Sequence, residues 1–416
     1  MSYLESLGKN AVAAGKILSL KNTEDKNTAL LAMAKAIESS TEKIMKSNLI
    51  DVTNAVKFGI SGAFLDRLTL NEKRIQSMAQ GLIDASKLDD PIGEHLETIK
   101  RPNGLIINKI RVPLGVVGMI YESRPDVTSD AAGLCLKTGN PVILRGGSRA
   151  LNSNKAVADV MRTALESIGF PKDCIQLVED TDRKTAVELM RLNKYLNVLI
   201  PRGTASLINE VLKNATVPVI ETGIGICHIY VDSDADLEMA TKITVNAKTT
   251  KPSVCNSAEV LLVHEDVYKE FLPEVYKELK EFDVEIRGCK RSCEILSDAK
   301  AAGIDDFDTE FLDYIMAVKV VSDVSEAVNH INIHGTQHSE SIVTANTKNA
   351  ELFTQQVNAA AVYVNASTRF TDGGEFGMGA EIGISTQMLH ARGPMGLKEL
   401  TSYKYIIQGN GQIRIG

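Results

Sequence analysis

Apolar residues in the first ninety positions recur at spacings of three and four. Ala11, Ala14, Ile17 and Leu18, then Leu30, Leu31, Ala34 and Ile37, would each line one side of a helix. Asn71 has the short polar side chain of a helix cap and predicts a helix through Leu82. The stretch Asp90-Pro91-Ile92-Gly93 breaks this helical region. Ile106, Ile107, Ile110 and Val112 follow a Pro102-Asn103-Gly104 turn, which predicts a hairpin between Thr98 and Val112.

From Gly115 the rhythm changes to short apolar, β-branched runs separated by helical stretches. Strands are expected at 115–121, 141–145, 174–178 and 196–200. Helices are expected at 126–137, 150–168, 184–192 and 204–212. The alternation resumes with a strand at 226–231, a helix at 234–247, a strand at 258–263 and a helix at 268–282. A third set runs out to Val364. Alternation of this kind predicts an α/β fold, a parallel sheet with helices on both faces. The tail from Thr401 to Ile415 reads as a strand, and a strand alone needs a partner.

Composition narrows the picture. A chain of 416 residues predicts two or three domains, and 44% hydrophobic with 24% charged residues argues against disorder. A net charge of -7, from 46 basic and 53 acidic residues, argues against nucleic acid as a partner. Aromatics at 5% with no Trp argue against a base-stacking surface. No apolar run approaches the roughly 20 residues of a membrane span. The first twenty residues carry Glu5 and Lys9 and lack a signal-peptide layout, so a cytoplasmic protein is expected.

Six cysteines in so long a chain are not a disulfide framework, and no two form a CxxC pair. His330, His334 and His338 stand four apart. Gly335 interrupts them, and Ile331 and Ile333 alternate as in a strand, so no metal site is expected.

Two turns and one thiol carry the candidate chemistry. Arg145-Gly146-Gly147-Ser148 and Pro201-Arg202-Gly203-Thr204 each follow a strand and precede a helix, where open α/β sheets bind ligands. Neither is GxGxxG, and either alone could simply reverse the chain; together they suggest a nucleotide held in an unusual way. Cys255 lies in the polar loop Thr249-Thr250-Lys251-Pro252-Ser253-Val254-Cys255-Asn256. Lys251 and the loop favour a thiolate there. Cys135, on a helix, and Cys174 and Cys227, on strands, read as small apolar fillers, with Cys289 and Cys293 near a surface helix.

The block from Arg111 to Pro125, RVPLGVVGMIYESRP, resembles the γ-glutamyl phosphate reductases of the aldehyde dehydrogenase superfamily. So do Pro252-Ser253-Val254-Cys255-Asn256, Gly335-Thr336-Gln337-His338-Ser339-Glu340, Gly379-Ala380-Glu381-Ile382-Gly383-Ile384-Ser385 and His390-Ala391-Arg392-Gly393-Pro394. The resemblance runs in order over essentially the whole chain. It implies a Rossmann-like NADPH-binding domain over 1–97 and 113–224 and an α/β catalytic domain over 225–395. An oligomerisation flap would comprise 98–112 and 396–416, making the chain a homo-oligomer. The implied reaction is reduction of L-glutamyl 5-phosphate by NADPH to glutamate 5-semialdehyde and phosphate, the second step of proline biosynthesis from glutamate.

In that resemblance Cys255 matches the nucleophile, and Glu221 the glutamate that activates the cysteine or a hydrolytic water. Arg124 stands where most aldehyde dehydrogenases have asparagine, and its fork suits a phosphate, a carboxylate or a developing oxyanion. The competing role for Arg124 is an ion pair with Glu122. Arg145 occupies the position of the lysine that holds the adenine ribose. Gly146, Gly147 and Ser148 complete that turn, and Arg149 stands where an acid would favour NAD and a cation NADP. Gly203 and Thr204 match the turn that faces the pyrophosphate, and Glu310 the glutamate that bonds the nicotinamide ribose. Asn256, His338 and Glu340 are implied to help hold the glutamyl substrate. The unstable acyl phosphate makes glutamate 5-kinase a partner to test. Two alternatives stand beside this reading: a hydrolytic NAD(P)-dependent aldehyde dehydrogenase, and a cofactor-free scaffold that kept the fold.

Overall fold

The computed structural model describes residues 2–414, so Ile415, where the expected terminal strand ends, lies outside the described residues. Helix α1 (Tyr3–Leu18) starts where Ser2 and Glu5 each satisfy the other's backbone N–H, a capping box. Asn22 and Asp25 do the same for α2 (Thr23–Ser39). Helices α3 (Thr41–Lys57) and α4 (Gly62–Leu68) follow. Asn71 caps α5 (Glu72–Lys87) by accepting from the Arg74 N–H at 2.9 Å. Ala11, Ala14, Leu18, Leu30, Ala34 and Ile37 are buried as the spacing requires, whereas Ile17 and Leu31 are half exposed. Each is the immediate chain neighbour of a buried leucine, and one step along a helix turns a side chain well off the buried stripe.

Strands β1 (His95–Lys100) and β2 (Ile106–Pro113) form the expected antiparallel hairpin. Next come β3 (Val117–Tyr121), α6 (Asp126–Lys137), β4 (Val142–Arg145), α7 (Leu151–Ser167), β5 (Ile175–Leu177), α8 (Arg183–Met190), β6 (Val198–Arg202) and α9 (Ala205–Asn214). The four strands make a parallel sheet in the order β5-β4-β3-β6. All five residues of β3 are buried, the continuous apolar run of a strand covered on both faces. Cys174, read as strand, instead ends the 3-10 turn Lys172–Cys174 before β5, although it is buried as expected.

The second half contains β7 (Cys227–Val231), α10 (Leu237–Thr249), β8 (Ala258–His264), α11 (Tyr268–Lys280), β9 (Glu285–Gly288), α12 (Lys290–Ile295) and β10 (Lys300–Ala301). It continues with β11 (Ile315–Val321), α13 (Val324–His334), β12 (Ser339–Val343), α14 (Thr347–Gln356), β13 (Ala361–Val364), β14 (Ile384–Ser385) and β15 (Gly393–Pro394). Seven of these strands form a parallel sheet, β10-β9-β11-β8-β7-β12-β13. The alternation at Ile331 and Ile333 was misleading, because both lie on α13. Asp323 caps that helix, and Val324, Ala327, Val328 and Ile331 form its buried stripe while Ile333 faces out.

The last strand, β16 (Thr401–Gln408), pairs antiparallel with β2 from Thr401↔Pro113 to Gln408↔Ile106, giving a sheet β1-β2-β16. Tyr403, Tyr405, Ile406 and Ile407 on β16 are exposed. The chain divides into two compact units. The first takes the chain up to Glu221, Gly377–Gly383 and the chain from Met395 onward; the second takes Thr222–Phe376 and Ile384–Pro394. Residues 377–383, expected in the catalytic domain, thus group with the first unit. There Gly379 sits against Leu88 and the Ile382 N–H donates to the Met395 carbonyl at 2.9 Å. No described helix is long and apolar enough to cross a membrane.

Candidate active site

In the first unit the candidate cofactor residues gather at the carboxyl ends of β3, β4 and β6. β4 ends in Arg145, whose Nη2 donates to the Thr181 carbonyl at 3.3 Å while its Nε is buried with no hydrogen-bond partner. Burial, partly offset by Asp180, pushes the Arg145 guanidinium below its ordinary range. A methyl on Gly146 would lie 2.1 Å from Asn154 Nδ2, itself a buried donor with no partner. A methyl on Gly147 would meet Ser123 Oγ at 2.8 Å, so the β4 and β3 loops touch through bare backbone. Ser148 and Arg149 are exposed on the short 3-10 turn that leads into α7. Unpartnered buried donors beside a bare-backbone turn are a surface that an anionic ligand satisfies.

The β6 turn differs from its expected role. Gly203 packs on the Glu122 side chain, and the Glu122 carboxylate accepts from the Thr204 N–H at 2.9 Å and from its hydroxyl at 2.6 Å. The Thr204 donors are therefore already engaged, and what the turn offers a phosphate is the start of the α9 dipole behind them.

The same contact bears on Arg124. No ion pair joins it to Glu122, whose carboxylate is turned to Thr204; the link between them is the Arg124 N–H donating to the Glu122 carbonyl at 2.7 Å. Arg124 is half-buried just before α6. Burial first, then Arg67 and Arg202, push its guanidinium down. A cation crowded by cations and partly dehydrated is a place that gains by taking up an anion. Glu221 closes the unit, following residues 217–220, which run beside β6 through a parallel bridge between Val219 and Leu199.

In the second unit Cys255 is partly exposed in the loop between α10 and β8, on a turn closed by the Ser257 N–H donating to the Val254 carbonyl at 3.1 Å. Its backbone is gripped from below. A methyl on Gly225 would fall 1.4 Å from the Cys255 carbonyl oxygen, so only glycine fits there. The Cys227 thiol donates to the same oxygen at 3.1 Å. Glu310 accepts from the Gly225 N–H at 2.7 Å, which puts the expected cofactor glutamate on the backbone that packs against Cys255.

The three residues expected to hold substrate are placed otherwise. Asn256 is buried, and its amide is consumed by the Thr371 carbonyl at 2.9 Å, the Arg369 carbonyl at 3.3 Å and the Arg369 guanidinium. His338 and Glu340 are 0% exposed and so present no surface to a ligand. Glu340 accepts from the His228 N–H at 2.7 Å and faces His228 Nδ1 at 2.9 Å. His338 Nδ1 sits 2.8 Å from Ser339 Oγ and 3.7 Å from Cys227 Sγ, and burial pushes its pKa down to about 4. His338 reaches the Cys255 loop only through Cys227, whose thiol donates to the Cys255 carbonyl.

Sequence reading missed Cys227 as a donor, together with His228, Lys248 and Glu259. The available signal was a single charge inside an otherwise apolar strand, as at Glu259 in β8, which announces a buried partner.

Residues 4–295 match the aldehyde dehydrogenase family model. A gamma-glutamyl phosphate reductase of Clostridium perfringens is 59% identical over 407 residues, 98% of each chain. The chain belongs to the aldehyde dehydrogenase family, among its gamma-glutamyl phosphate reductases. The crystal structure of the gamma-glutamyl phosphate reductase of Thermotoga maritima is 48% identical, covers 100% of both chains and superposes with a TM-score of 0.97. An acetylating aldehyde dehydrogenase of Geobacillus thermoglucosidasius, 19% identical with a TM-score of 0.70 over 99% of this chain and 98% of its own, shares the fold. The aldehyde dehydrogenase-like architecture implied by the motif blocks is thus the architecture found.

Proposed function

We propose that this chain reduces L-glutamyl 5-phosphate to L-glutamate 5-semialdehyde and phosphate with NADPH, the second step of proline biosynthesis from glutamate. The observation that carries the reading is full-length similarity to gamma-glutamyl phosphate reductases, 59% identity over 98% of the chain, with a partly exposed loop thiol at Cys255. The Cys255 thiolate attacks the acyl carbon, and the C–O bond to phosphate breaks with its electron pair leaving on phosphate. Arg124 neutralises the departing phosphate or the oxyanion. Bound NADPH supplies the hydride that reduces the resulting thioester. Collapse of the hemithioacetal returns the thiolate and releases the aldehyde. No water is consumed, so the reaction asks no water activation of Glu221.

The first unit fits a dinucleotide: Arg145 and Asn154 would meet it with buried donors that have no other partner, and Arg149 supplies a cation for a 2′-phosphate. Glu310 is the residue read as the contact to the nicotinamide ribose. His338, Glu340 and Asn256 contribute to substrate binding through the backbone they hold. The exposed edge of β16 supports a homo-oligomer, since such an edge seeks a further strand. Six cysteines without a disulfide agree with the cytoplasm. Glutamate 5-kinase remains the partner to test.

Run backwards, the enzyme oxidises glutamate 5-semialdehyde with NADP, and phosphate releases the acyl group. Steady-state NADP reduction should require inorganic phosphate, with at most about one equivalent per site in its absence. Sustained turnover in phosphate-free buffer, with glutamate accumulating, would instead identify a hydrolytic dehydrogenase.

A further inference from the structure

The loop that carries Cys255 is closed at its base by a charge pair. Lys248 lies at the end of α10, just before the loop, and Glu259 near the start of β8, just after it. Both are 0% exposed, and Lys248 Nζ lies 2.6 Å from Glu259 Oε2. Burying two charges costs free energy that one ion pair recovers only in part, so stability alone is a weak reason for the pair. The second carboxylate oxygen supplies another reason. Glu259 Oε1 accepts from the Leu312 N–H at 3.2 Å. Leu312 has a backbone φ of +54°, a conformation that costs a leucine about 1 kcal/mol or more unless its surroundings hold it. Two residues back is Glu310, which accepts from the Gly225 N–H at 2.7 Å, and Gly225 packs on the Cys255 carbonyl. Phe311, between them, packs into the apolar cluster under the sheet and stacks 5.0 Å from the Arg287 guanidinium.

We propose that Glu259 is a positioning residue for the cofactor site: held by Lys248, it fixes the left-handed turn at Leu312 and so aims the Glu310 carboxylate. One buried acid thereby ties the two ends of the nucleophile loop to the segment that grips the nicotinamide ribose. The inference rests on the reading that Glu310 binds the cofactor. Burial drives the Glu259 carboxyl up to about 7, a rise that Lys248 and the Leu312 N–H oppose.

The test separates the hydrogen bond from the charges. Two double variants remove both charges, which avoids leaving one buried and alone: Lys248→Met with Glu259→Gln, and Lys248→Met with Glu259→Met. Glutamine keeps an acceptor for the Leu312 N–H and methionine does not. The measurements are the KM for NADP in the reverse direction with phosphate saturating, the rate of Cys255 alkylation by iodoacetamide, and Tm. The Met/Met variant should raise KM about tenfold, the worth of one buried hydrogen bond, with alkylation within about threefold of the parent. The Met/Gln variant should raise KM less than about threefold at a similar Tm. Equal KM values in the two variants, or alkylation falling in step with KM, would overturn the proposal, because the pair would then only brace the loop. Glu310→Gln is the companion measurement. If it leaves KM unchanged, the cofactor role of Glu310 is wrong and the proposal falls with it. If it raises KM while Met/Met does not, only the positioning role is wrong.

Discussion

The two units differ in how charged groups stand around their candidate site residues. At the carboxyl ends of the first sheet, cations crowd together: Arg124 lies near Arg67 and Arg202, with Asp126 and Glu122 offsetting them only in part, Arg149 is in solvent, and Arg145 Nε and Asn154 Nδ2 are buried with no hydrogen-bond partner. In the second unit two buried pairs answer one another, Lys248 with Glu259 and His228 with Glu340, while unpartnered buried atoms remain at the ring nitrogens of His228, His330 and His338, the Nε of Arg369 and Arg392, the hydroxyls of Thr244 and Ser385 and one Glu340 oxygen. The first arrangement is incomplete by itself and gains from an anionic ligand. The second pairs buried charges with each other around the Cys255 loop, an arrangement that holds a loop in place without a ligand.

The comparison breaks most visibly at the thiol. Cys255→Ala should abolish turnover, by about a thousandfold or more, while NADP still raises the Tm of the variant, because the dinucleotide donors lie in the first unit. Loss of both properties together would mean that the division of labour is wrong. A smaller but still large effect is expected on the anion side. Arg124→Asn should lower kcat/KM for phosphate in the reverse reaction by about a hundredfold, in line with removal of one charged donor from a reacting oxyanion. Its effect on the KM for NADP should be much smaller; equal effects would move Arg124 into the cofactor site.

The self-contained second unit can be probed by pH. His338 is buried neutral with its pKa lowered from 6.5 to about 4. The unfolded chain therefore binds a proton that the folded chain refuses between those values. This contribution to stability is present above pH 6.5 and is lost as pH falls toward 4. From this group alone the protein should be about 2 kcal/mol less stable at pH 5 than at pH 7. Urea unfolding of parent and His338→Asn at the two values should show a loss about 2 kcal/mol larger in the parent than in the variant, which keeps the contribution of the likewise buried His330. The smallest effect is expected in solvent. Arg149→Glu should reduce the preference for NADPH over NADH by about tenfold, since an exposed charge is partly screened. A proportional fall for both cofactors would show that Arg149 does not read the 2′-phosphate.

Much of this was legible without coordinates. The strand and helix order from Gly115 to Val231 follows from periodicity, because alternation of β-branched runs with helical stretches leaves few other ways to bury both. Cys255 stood out because a polar loop is a poor place for a structural thiol. Other features were hidden by burial. Nothing local distinguishes a substrate-reading His338 or Glu340 from the buried groups they are. An Asn256 beside the nucleophile reads as a ligand until its amide is seen committed to Arg369 and Thr371.

By itself, then, the sequence determined the α/β class, the places of the turns and the loop position of Cys255, since these depend on residues near one another in the chain. Only the tertiary structure decided the pairings: Glu122 with Thr204, His228 with Glu340, Glu259 with both Lys248 and Leu312. Such pairings join separate elements of the fold. Whether a charged side chain meets solvent, a ligand or another charge depends on which strands become neighbours, and periodicity does not encode that order.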